Sequence, residues 1–329
     1  MSGISRAPVG RVLAVGDINI DIVFTGLPHL PRTEQDTLAQ DLVITVGGQT
    51  GTIARALAQL GLLVTFVGRV GSDSYGRLCA DELARAGVDL TGLVTDPVLR
   101  TGATVVLSCG TERGFATYLG SISAVRRSDV TEQLLACADH LHVGSYFLLT
   151  GLHPDMLDLF RTAKQKGLTT SCDPGWDPFM NWDRDILKVL HYVDVFLPNE
   201  VEAQRITGAD APEKALSRLA KYGHTIVIKR GAYGCIVRQG TRTVYCPAFE
   251  VQVMDVTSAG DVFNAGFLYA WLGGQDLEDC ARFANACGAL SVARAGNLGM
   301  PRLEEVEAFL ASRGAEPKDL HLEQDAQGD

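Results

Sequence analysis

Short apolar runs alternate with helix-like segments along most of the chain. The runs RVLAV, LVTFV and TIVIK are rich in β-branched residues, whereas segments such as YGRLCADELARAG space their apolar residues as a helix does. Strands that are buried on both faces are apolar throughout, and such strands occur in parallel sheets covered by helices. The alternation therefore predicts an α/β fold with a mainly parallel sheet.

Two segments interrupt this alternation. Residues 22–46 contain the alternating run TLAQDLVITV, and residues 101–120 contain TGATVVLSC and GFATYLG on either side of a turn-rich GTERG. Both patterns predict antiparallel strands. Because strands with one apolar face need cover, we expect a small sheet that lies over one end of the main domain as a lid, or that pairs with a second subunit as a homodimer. An ordinary surface hairpin is the alternative.

The sequence has 329 residues, of which 46% are hydrophobic and 21% charged, and this composition supports one globular core. We place the main domain at residues 11–313, between a flexible N-terminus of residues 1–10 and a flexible acidic tail of residues 314–329. The net charge of −10 and the lack of a Lys/Arg run argue against a nucleic-acid or an anionic-membrane surface. Since no signal-peptide core and no run of about 20 apolar residues occurs, we expect a cytoplasmic protein.

Cysteine and histidine give no strong sign of a metal site. The cysteines are scattered without CxxC spacing, which predicts reduced thiols packed as small apolar side chains. Their positions are Cys79, Cys109, Cys137, Cys172, Cys235, Cys246, Cys280 and Cys287. His140 and His142 share one face of an apparent strand, but no third ligand follows nearby, so ordinary packing is favoured over metal binding.

The segment DVTSAGDVFNAGFLYAWLGG, residues 255–274, carries the most chemical information. Three small residues, Ser258, Ala259 and Gly260, lead directly into a predicted helix. The first amides of a helix lack internal partners and its dipole is positive there, so a phosphoryl oxygen can be bound. Asp261 lies in the first turn, where a carboxylate could also serve only to complement the dipole. The segment alone does not distinguish a catalytic Asp261 from one that only complements the helix dipole.

This segment resembles the C-terminal signature of the PfkB family of carbohydrate kinases, which is close to D-T-x-G-A-G-D before a glycine-containing helix. The resemblance implies a ribokinase-like three-layer α/β/α sandwich with a small β-sheet lid. It implies that Asp261 is the catalytic base and that residues 258–261 form an anion hole, with Ser258 in place of the first glycine. It also implies a K⁺ site formed by Asp255 and by carbonyls of residues 293–296.

The resemblance extends to a Gly-Gly turn before a helix, which reads VGGQTGTIARALAQLG here. Gly47 and Gly48 let the backbone approach a polyhydroxyl ligand closely. Thr52 stands where the family commonly has an asparagine that contacts the sugar, and a hydroxyl has a shorter reach. Helix capping by Thr50 or Thr52 is the alternative role.

The run GDINID matches the strand end where the family places groups that bind the sugar. Asn19 and Asp21 are two residues apart and therefore face the same way. The resemblance implies that Asp21 accepts hydrogen bonds from sugar hydroxyls. Capping of a turn at the strand end is the alternative.

Three further matches concern the nucleotide. Asn199 and Glu202 in LPNEVEA resemble the family's N-x-x-E motif, which implies an outer-shell hold on hydrated Mg²⁺. Lys229 and Gly231 in KRGAYG fall where the family contacts the nucleotide, and Asn285 matches a helix position beside the adenine. Neither a Rossmann nor a Walker glycine motif occurs, so neither a dinucleotide fold nor a Walker-type site is supported. The resemblance to the PfkB family implies ATP as the cosubstrate.

The substrate is less constrained than the reaction. A sugar is the first expectation and a nucleoside the second, since aromatic side chains could stack a base. These side chains are Phe115, Tyr118 and Tyr146. A phosphorylated sugar is less favoured, because the lid segments offer only the scattered cations Arg32, Arg100 and Arg113. A catalytically silent sugar-binding regulator is the alternative from another class, which Thr52 and Ser258 favour and the intact Asp261 opposes.

Overall fold

The computed structural model describes residues 10–110, 112–294 and 300–313. Both predicted flexible ends, apart from Gly10, lie outside these residues. In chain order, the strands are β1 (Arg11–Val15), β2 (Asn19–Thr25), β3 (Asp41–Gly47), β4 (Leu63–Gly71), β5 (Asp89–Asp96), β6 (Gly102–Cys109), β7 (Glu112–Tyr118), β8 (His140–Val143), β9 (Thr169–Cys172), β10 (Val195–Phe196), β11 (Thr225–Lys229), β12 (Cys235–Gln239) and β13 (Arg242–Cys246).

The helices alternate with these strands as the sequence pattern predicts. They are α1 (Gln49–Gln59), α2 (Ser74–Arg85), α3 (Glu132–Ala136), α4 (Met156–Gln165), α5 (Asp185–Val189), α6 (Glu200–Thr207), α7 (Pro212–Leu219), α8 (Ala259–Leu272), α9 (Leu277–Val292) and α10 (Leu303–Ser312). None of the helices within the described residues is both long and apolar enough to cross a membrane.

The central sheet has nine strands in the order β13-β12-β11-β10-β9-β8-β1-β4-β5. Pairing is parallel from β5 through to β11, which confirms the predicted parallel sheet. At the other edge, β12 and β13 pair antiparallel, a feature that the alternation did not predict. The connection between them is a short turn at Gly240, and a turn of that length can join only antiparallel strands.

Two apolar cores, one on each face of the sheet, make the molecule a three-layer α/β/α sandwich. Alternate residues of β1 divide between them: Val12 and Ala14 belong to one core, and Leu13 and Val15 to the other. Helices α1, α2, α8, α9 and α10 cover the first face, and α3 to α7 cover the second. The strands are therefore buried on both sides, which explains their apolar composition.

A small second sheet, with strand order β3-β2-β6-β7, forms the lid. The pairs β2–β3 and β6–β7 are the two predicted antiparallel hairpins, and a parallel β2–β6 pairing joins them. The first lid strand begins at Asn19 rather than at residue 22, so Asn19 and Asp21 belong to the lid itself. One face of β3 and β7 exposes large side chains, among them Leu42, Ile44 and Tyr118. A homodimer through this face stays a prediction.

Candidate active site

The start of α8 is built by an unusual backbone conformation at Ser258. This residue has φ 60° and ψ 6°, in the left-handed region that favours glycine. The helix begins at Ala259 with no side-chain cap. The amide of Ala259 donates to the Val256 carbonyl at 3.3 Å and that of Asp261 to the Ser258 carbonyl at 3.0 Å, whereas the Gly260 amide has no acceptor among the described residues. Of the amides of Ala259, Gly260 and Asp261, that of Gly260 is therefore the one most open to a ligand.

Asp261 is half-buried in the wall of a cavity, at the first turn of α8. Burial raises the pKa of its carboxyl group well above the ordinary value, and the negative charge of Asp173 raises it further, while Lys229 opposes both. A carboxylate with a raised pKa takes up a proton more readily, which suits a general base.

A buried polar cluster beside Asp261 was missed by the sequence reasoning. Asp173 follows β9 directly and is completely buried. Its Oδ2 accepts hydrogen bonds from Lys229 Nζ at 2.6 Å and from Asn264 Nδ2 at 2.5 Å, and Lys229 Nζ also donates to Asn264 Oδ1 at 3.1 Å. The signal that could have found Asp173 is its place at the carboxyl end of a parallel strand, where α/β sites gather.

Lys229 stands at the anion hole rather than in the remote part of the nucleotide site. Its Nζ lies 4.0 Å from where a Cβ on Gly260 would be. Burial lowers the pKa of this ammonium, but Asp173 and Glu202 outweigh it, and the pKa is raised overall. The group therefore keeps its positive charge where a phosphoryl group would develop negative charge.

The cavity has a volume of about 880 Å³, which falls in the range of small-ligand and cofactor sites. All the residues predicted to contact the nucleotide line it, namely Asn199, Glu202, Lys229, Gly231 and Asn285. Ala259, Gly260 and Asp261 line it as well. A further part of the wall is apolar and consists of Ala248, Phe249, Val251, Val253, Val256, Ala289 and Val292. A site that combines apolar walls with a charged corner suits a nucleotide, because the apolar walls can contact the nucleobase and the charged corner can contact the phosphates.

The N-x-x-E residues form a reciprocal cap at the start of α6. Asn199 Oδ1 accepts from the Glu202 amide at 2.8 Å, and Glu202 Oε2 accepts from the Asn199 amide at 2.8 Å. Burial raises the pKa of Glu202 to about 7, with a further contribution from Asp173. The motif therefore caps the start of α6, and the cap fixes the side-chain oxygens of Asn199 and Glu202 in the cavity wall.

Asn285 and Gly231 shape two other parts of the wall. The Asn285 side-chain amide donates to the Cys246 carbonyl at 3.1 Å and to the Pro247 carbonyl at 3.0 Å. It thus fixes the chain that leaves β13, beside the apolar wall. Gly231 has φ 56°, and nothing lies within 4 Å of a Cβ built on it. Its exposed backbone faces open space at the cavity.

The predicted sugar-binding residues lie together on the lid side of the site. Asn19 Nδ2 donates to Asp21 Oδ1 at 2.9 Å and to Thr104 Oγ1 at 3.1 Å, which confirms that Asn19 and Asp21 share a face. A Cβ on Gly47 would lie 2.1 Å from Asp21 Oδ2, and one on Gly48 would lie 3.1 Å from Asn19 Oδ1. Gly47 is therefore required by the close approach of the Asp21 side chain, and Gly48 by its φ of 88° and by the backbone of Ile18, whose Cα would lie 2.7 Å from that Cβ. Burial raises the pKa of Asp21 to about 6.

Thr52 does not face the cavity. It is completely buried in α1, and its hydroxyl accepts a hydrogen bond of 3.5 Å from the guanidinium of Arg55, itself buried. The start of α1 is capped by Asp17, whose carboxylate accepts from the amides of Gln49 and Thr50 and from the Thr50 hydroxyl. Neither Thr50 nor Thr52 caps α1, so the alternative capping role given to them is wrong.

Gln49 is a cavity residue that the sequence reasoning missed. It is the first residue of α1, directly after the Gly-Gly turn. Its side-chain oxygen accepts a hydrogen bond from the amide of Ser145, which follows β8. The contact ties the cavity wall to the carboxyl end of the central sheet.

Asp255 connects the anion-hole loop to the lid. Its Oδ1 accepts from the Thr257 amide at 2.9 Å and hydroxyl at 2.7 Å, and from Arg113 of β7 at 3.5 Å. The K⁺ prediction also involves carbonyls of residues 293–296, of which 295 and 296 lie outside the described residues. That prediction stays untested.

The remaining predictions concern aromatic, histidine and cysteine residues. Tyr146 is buried in the core, whereas Phe115 and Tyr118 are exposed on β7. His140 and His142 are buried and hydrogen-bonded to Ser171, which confirms ordinary packing, and the described residues contain no cluster of metal ligands. All the cysteines are free, and most are buried.

Comparison with known proteins identifies the class of this site. Residues 9–301 match the model of the pfkB family carbohydrate kinases. The chain is 31% identical over 315 residues to the ATP-dependent ribose-1-phosphate kinase of Halopiger xanaduensis, covering 92% of this chain and 99% of that protein. The chain therefore belongs to the pfkB family and is a carbohydrate kinase.

Solved structures agree with this assignment. An E. coli protein assigned as a Ribokinase II, solved with ATP and Mg²⁺, superposes with a TM-score of 0.82 at 25% identity, covering 93% of this chain and 100% of that one. A Vibrio cholerae fructokinase variant bound to fructose, ADP and potassium ion gives a TM-score of 0.77 at 27% identity, covering 93% and 99%. The fold is ribokinase-like.

Proposed function

We propose that this protein transfers the terminal phosphoryl group of ATP to a hydroxyl of a small sugar, with Asp261 as the general base. One observation carries the proposal. Asp261 lies half-buried in a nucleotide-sized cavity, next to the Gly260 amide and the Lys229 ammonium. A base, a hydrogen-bond donor and a fixed positive charge thus meet at one corner, which a sugar-binding regulator would not need.

Phosphoryl transfer needs alignment and charge neutralisation more than a strong base. Asp261 removes the proton from the attacking hydroxyl as the new P–O bond forms, and the bond from the terminal phosphorus to the bridging oxygen breaks so that ADP leaves. The amides of the 258–261 loop, with Gly260 foremost, bind the transferring phosphoryl oxygens. Lys229 offsets the charge that develops on them, and Asp173 and Asn264 keep its ammonium in place.

The donor set at the cavity fits a hydrated Mg²⁺. Asn199 and Glu202 contribute side-chain oxygens to the wall, and Mg²⁺ in proteins is usually held by one or two such groups through its waters. Bound there with the nucleotide, the ion neutralises phosphate charge. Glu202 is the residue that we assign to hold its water shell, because its carboxylate is fixed by the cap of α6.

The sugar binds between the lid and the carboxyl end of the sheet, where Asn19 and Asp21 already lie face to face with Gly47. Arg113 links the lid to the anion-hole loop through Asp255 and Thr257. Closure of this kind excludes water that would otherwise hydrolyse ATP.

A phosphorylated sugar is the second candidate substrate. The relative in Halopiger xanaduensis acts on ribose 1-phosphate, and it matches nearly the whole chain. Arg113 brings a lid guanidinium within 3.5 Å of the anion-hole loop, where it can also meet a phosphate on the substrate. Nucleosides are less favoured as substrates, because Tyr146, one of the side chains that could stack a base, is buried in the core.

The test is ADP release with Mg·ATP across a panel of ribose, fructose, ribose 1-phosphate and nucleosides. We expect release with at least one sugar or sugar phosphate and a loss of release in Asp261→Asn. The matched control is Asp210→Asn, which removes an exposed carboxylate that forms a surface ion pair with Lys214. If no member of the panel supports release, or if Asp261→Asn matches the control, the proposed function is wrong.

A further inference from the structure

Two cysteines face each other across the antiparallel edge of the central sheet. Cys235 on β12 and Cys246 on β13 are directly opposite partners in the strand register. Opposite residues of an antiparallel pair project to the same face with Cα atoms about 4.5–5.5 Å apart, which lies inside the window of about 4.4–6.8 Å that a disulfide requires. Both thiols are free and share a hydrogen bond. The pair can therefore be joined without moving the strands.

The two thiols are chemically unequal. The hydrogen bond with Cys235 lowers the pKa of the Cys246 thiol, and the Asn285 amide and the charge of Arg282 lower it further against the effect of burial. The same hydrogen bond, together with burial, raises the pKa of Cys235 well above its usual value. By contrast, burial raises the pKa of the unpaired Cys280 to about 12. Cys246 is thus the better nucleophile and Cys235 the resolving thiol.

The pair lies directly behind the wall of the nucleotide cavity. Asn285 lines the cavity and its Nδ2 is 3.9 Å from the Cys235 sulfur. Gly234, which directly precedes Cys235, and Ala248, two residues after Cys246, also line the cavity. Elsewhere the two cysteines are covered by the core, where both are nearly fully buried. A small oxidant therefore reaches them most directly from the cavity, past the side chain of Asn285.

We propose that Cys235 and Cys246 form a disulfide in response to a peroxide, and that the nucleotide cavity is the route by which the peroxide arrives. The Cys246 thiolate attacks one oxygen of hydrogen peroxide, which breaks the O–O bond, releases hydroxide and leaves a sulfenic acid. The Cys235 sulfur then attacks the sulfenyl sulfur, and the hydroxyl group departs as water with the proton of the second thiol. The two thiols together lose two electrons, and the peroxide is reduced to one water and one hydroxide, which takes up the proton that Cys246 lost on ionising and becomes the second water.

The route has a measurable consequence, which rests on the proposed nucleotide site. A nucleotide in the cavity covers the approach past Asn285. At about ten times its Kd, ADP leaves roughly one molecule in eleven unoccupied, so it slows disulfide formation about tenfold.

The experiment treats the reduced full-length protein with hydrogen peroxide and identifies linked peptides by mass spectrometry. We expect a Cys235–Cys246 linkage that a dithiol reductant reverses, and its loss in Cys246→Ser. Cys137→Ser, which removes an exposed cysteine far from the pair, should oxidise at the wild-type rate. The wild-type peptide map needs no variant, so it decides the matter even where Cys246→Ser folds poorly.

The outcomes separate the two proposals. If reduced protein binds no ADP in calorimetry, the nucleotide assignment fails while the peptide map still tests the disulfide. If ADP binds and no Cys235–Cys246 linkage forms, the inference is overturned. It is also overturned if the linkage forms at the same rate with and without saturating ADP, because the cavity is then not the route.

Discussion

The nucleotide half and the substrate half of this site are built from different parts of the molecule. The nucleotide half lies on α6, α8, α9 and β11, whose inner residues belong to the two main cores. The substrate half depends on Asn19 and Asp21, which lie on the lid strand β2. The neighbouring lid strand β3 exposes Leu42, Val43 and Ile44. The nucleotide half is therefore fixed by packing in the two cores, whereas the substrate half lies on a sheet that exposes apolar side chains.

This difference shows how one fold can serve several substrates. The groups that handle the phosphoryl are fixed by helix starts and by a buried ion pair, so their positions do not depend on the lid. The proposed sugar-binding groups Asn19 and Asp21 lie on the lid strand β2, so we expect their exchange to cost the core little.

Apart from replacement of Asp261 itself, the largest effect is expected from Lys229→Met. The substitution removes the positive charge at Gly260 and should lower kcat by roughly 10²–10³-fold, the usual loss for one donor to a transition-state charge. It also leaves Asp173 buried without its partner, at a cost of about 3–5 kcal/mol in the free energy of unfolding. Denaturant unfolding and steady-state kinetics measure the two effects, and the sugar KM should change little.

The control is the double variant Lys229→Met with Asp173→Asn. Removing both charges should recover much of the lost free energy of unfolding without restoring kcat. If kcat returns together with stability, the ammonium has only a structural role.

The next effect is expected from Asp21→Asn, which changes the substrate half alone. Loss of a charged acceptor should raise the sugar KM by about 10–100-fold, because hydrogen bonds to charged groups contribute about 1.5–3 kcal/mol. The Kd for ADP should stay within about twofold, since contacts of distant sites are independent. An equal loss of ADP affinity would contradict the division into two halves.

The pH dependence of the same residue provides a second measurement. The pKa of Asp21 is raised to about 6, so the carboxylate is lost as pH falls through that value. The wild-type sugar KM should therefore rise below about pH 6, while the KM of Asp21→Asn stays flat there. For stability the sign is opposite, because burial penalises the charged form: Asp21 destabilises the fold as pH rises through about 6.

A pair of glycine substitutions compares the two halves directly. Gly47→Ala places a Cβ 2.1 Å from Asp21 Oδ2 and should cost about 1–3 kcal/mol of stability and raise the sugar KM. Gly231→Ala enters open space at φ 56° and should cost only about 1–2 kcal/mol of backbone strain, with its kinetic effect on ATP. Urea unfolding and the two KM values report the outcome. A shift of the sugar KM by Gly231→Ala alone would be inconsistent with this arrangement.

The smallest effect is expected from Ser258→Gly. Glycine adopts the left-handed conformation without strain but loses more entropy on folding, so the net gain should be about 0.5 kcal/mol and Tm should rise by roughly 1 °C. Ser258→Ala keeps the strain and removes the hydroxyl, which makes it the matched control. Scanning calorimetry that finds both variants less stable than wild type would show that the hydroxyl outweighs the strain.

Local patterns in the sequence were sufficient for much of the phosphoryl site. The small residues before Asp261 predict an open helix start, because that property depends only on neighbours along the chain. The two-residue spacing of Asn19 and Asp21 predicts a shared face for the same reason. The α/β fold follows from the apolar runs, since inner strands that are buried on both faces, such as β1 and β11, are apolar nearly throughout.

Features that join distant segments could not be predicted in this way. The cluster of Asp173, Lys229 and Asn264 brings together residues up to 91 positions apart, and no spacing rule connects them. The burial of Thr52 depends on how α1 packs beneath the lid, and the antiparallel edge depends on the turn at Gly240. The left-handed conformation of Ser258 is a property of the backbone, and the presence of a serine in the sequence does not predict it.

The central claim is that Asp261 acts on the proton of the attacking hydroxyl and not on the binding of the nucleotide. The most direct measurement is a comparison of kcat and of the ADP Kd in wild type and Asp261→Asn. We predict a kcat lower by about 10²–10⁴-fold, an ADP Kd within about twofold, and a Tm at pH 8 that is equal or higher because a buried charge is removed. A variant that turns over at a near-native rate, or that loses ADP binding in proportion to kcat, would contradict the claim.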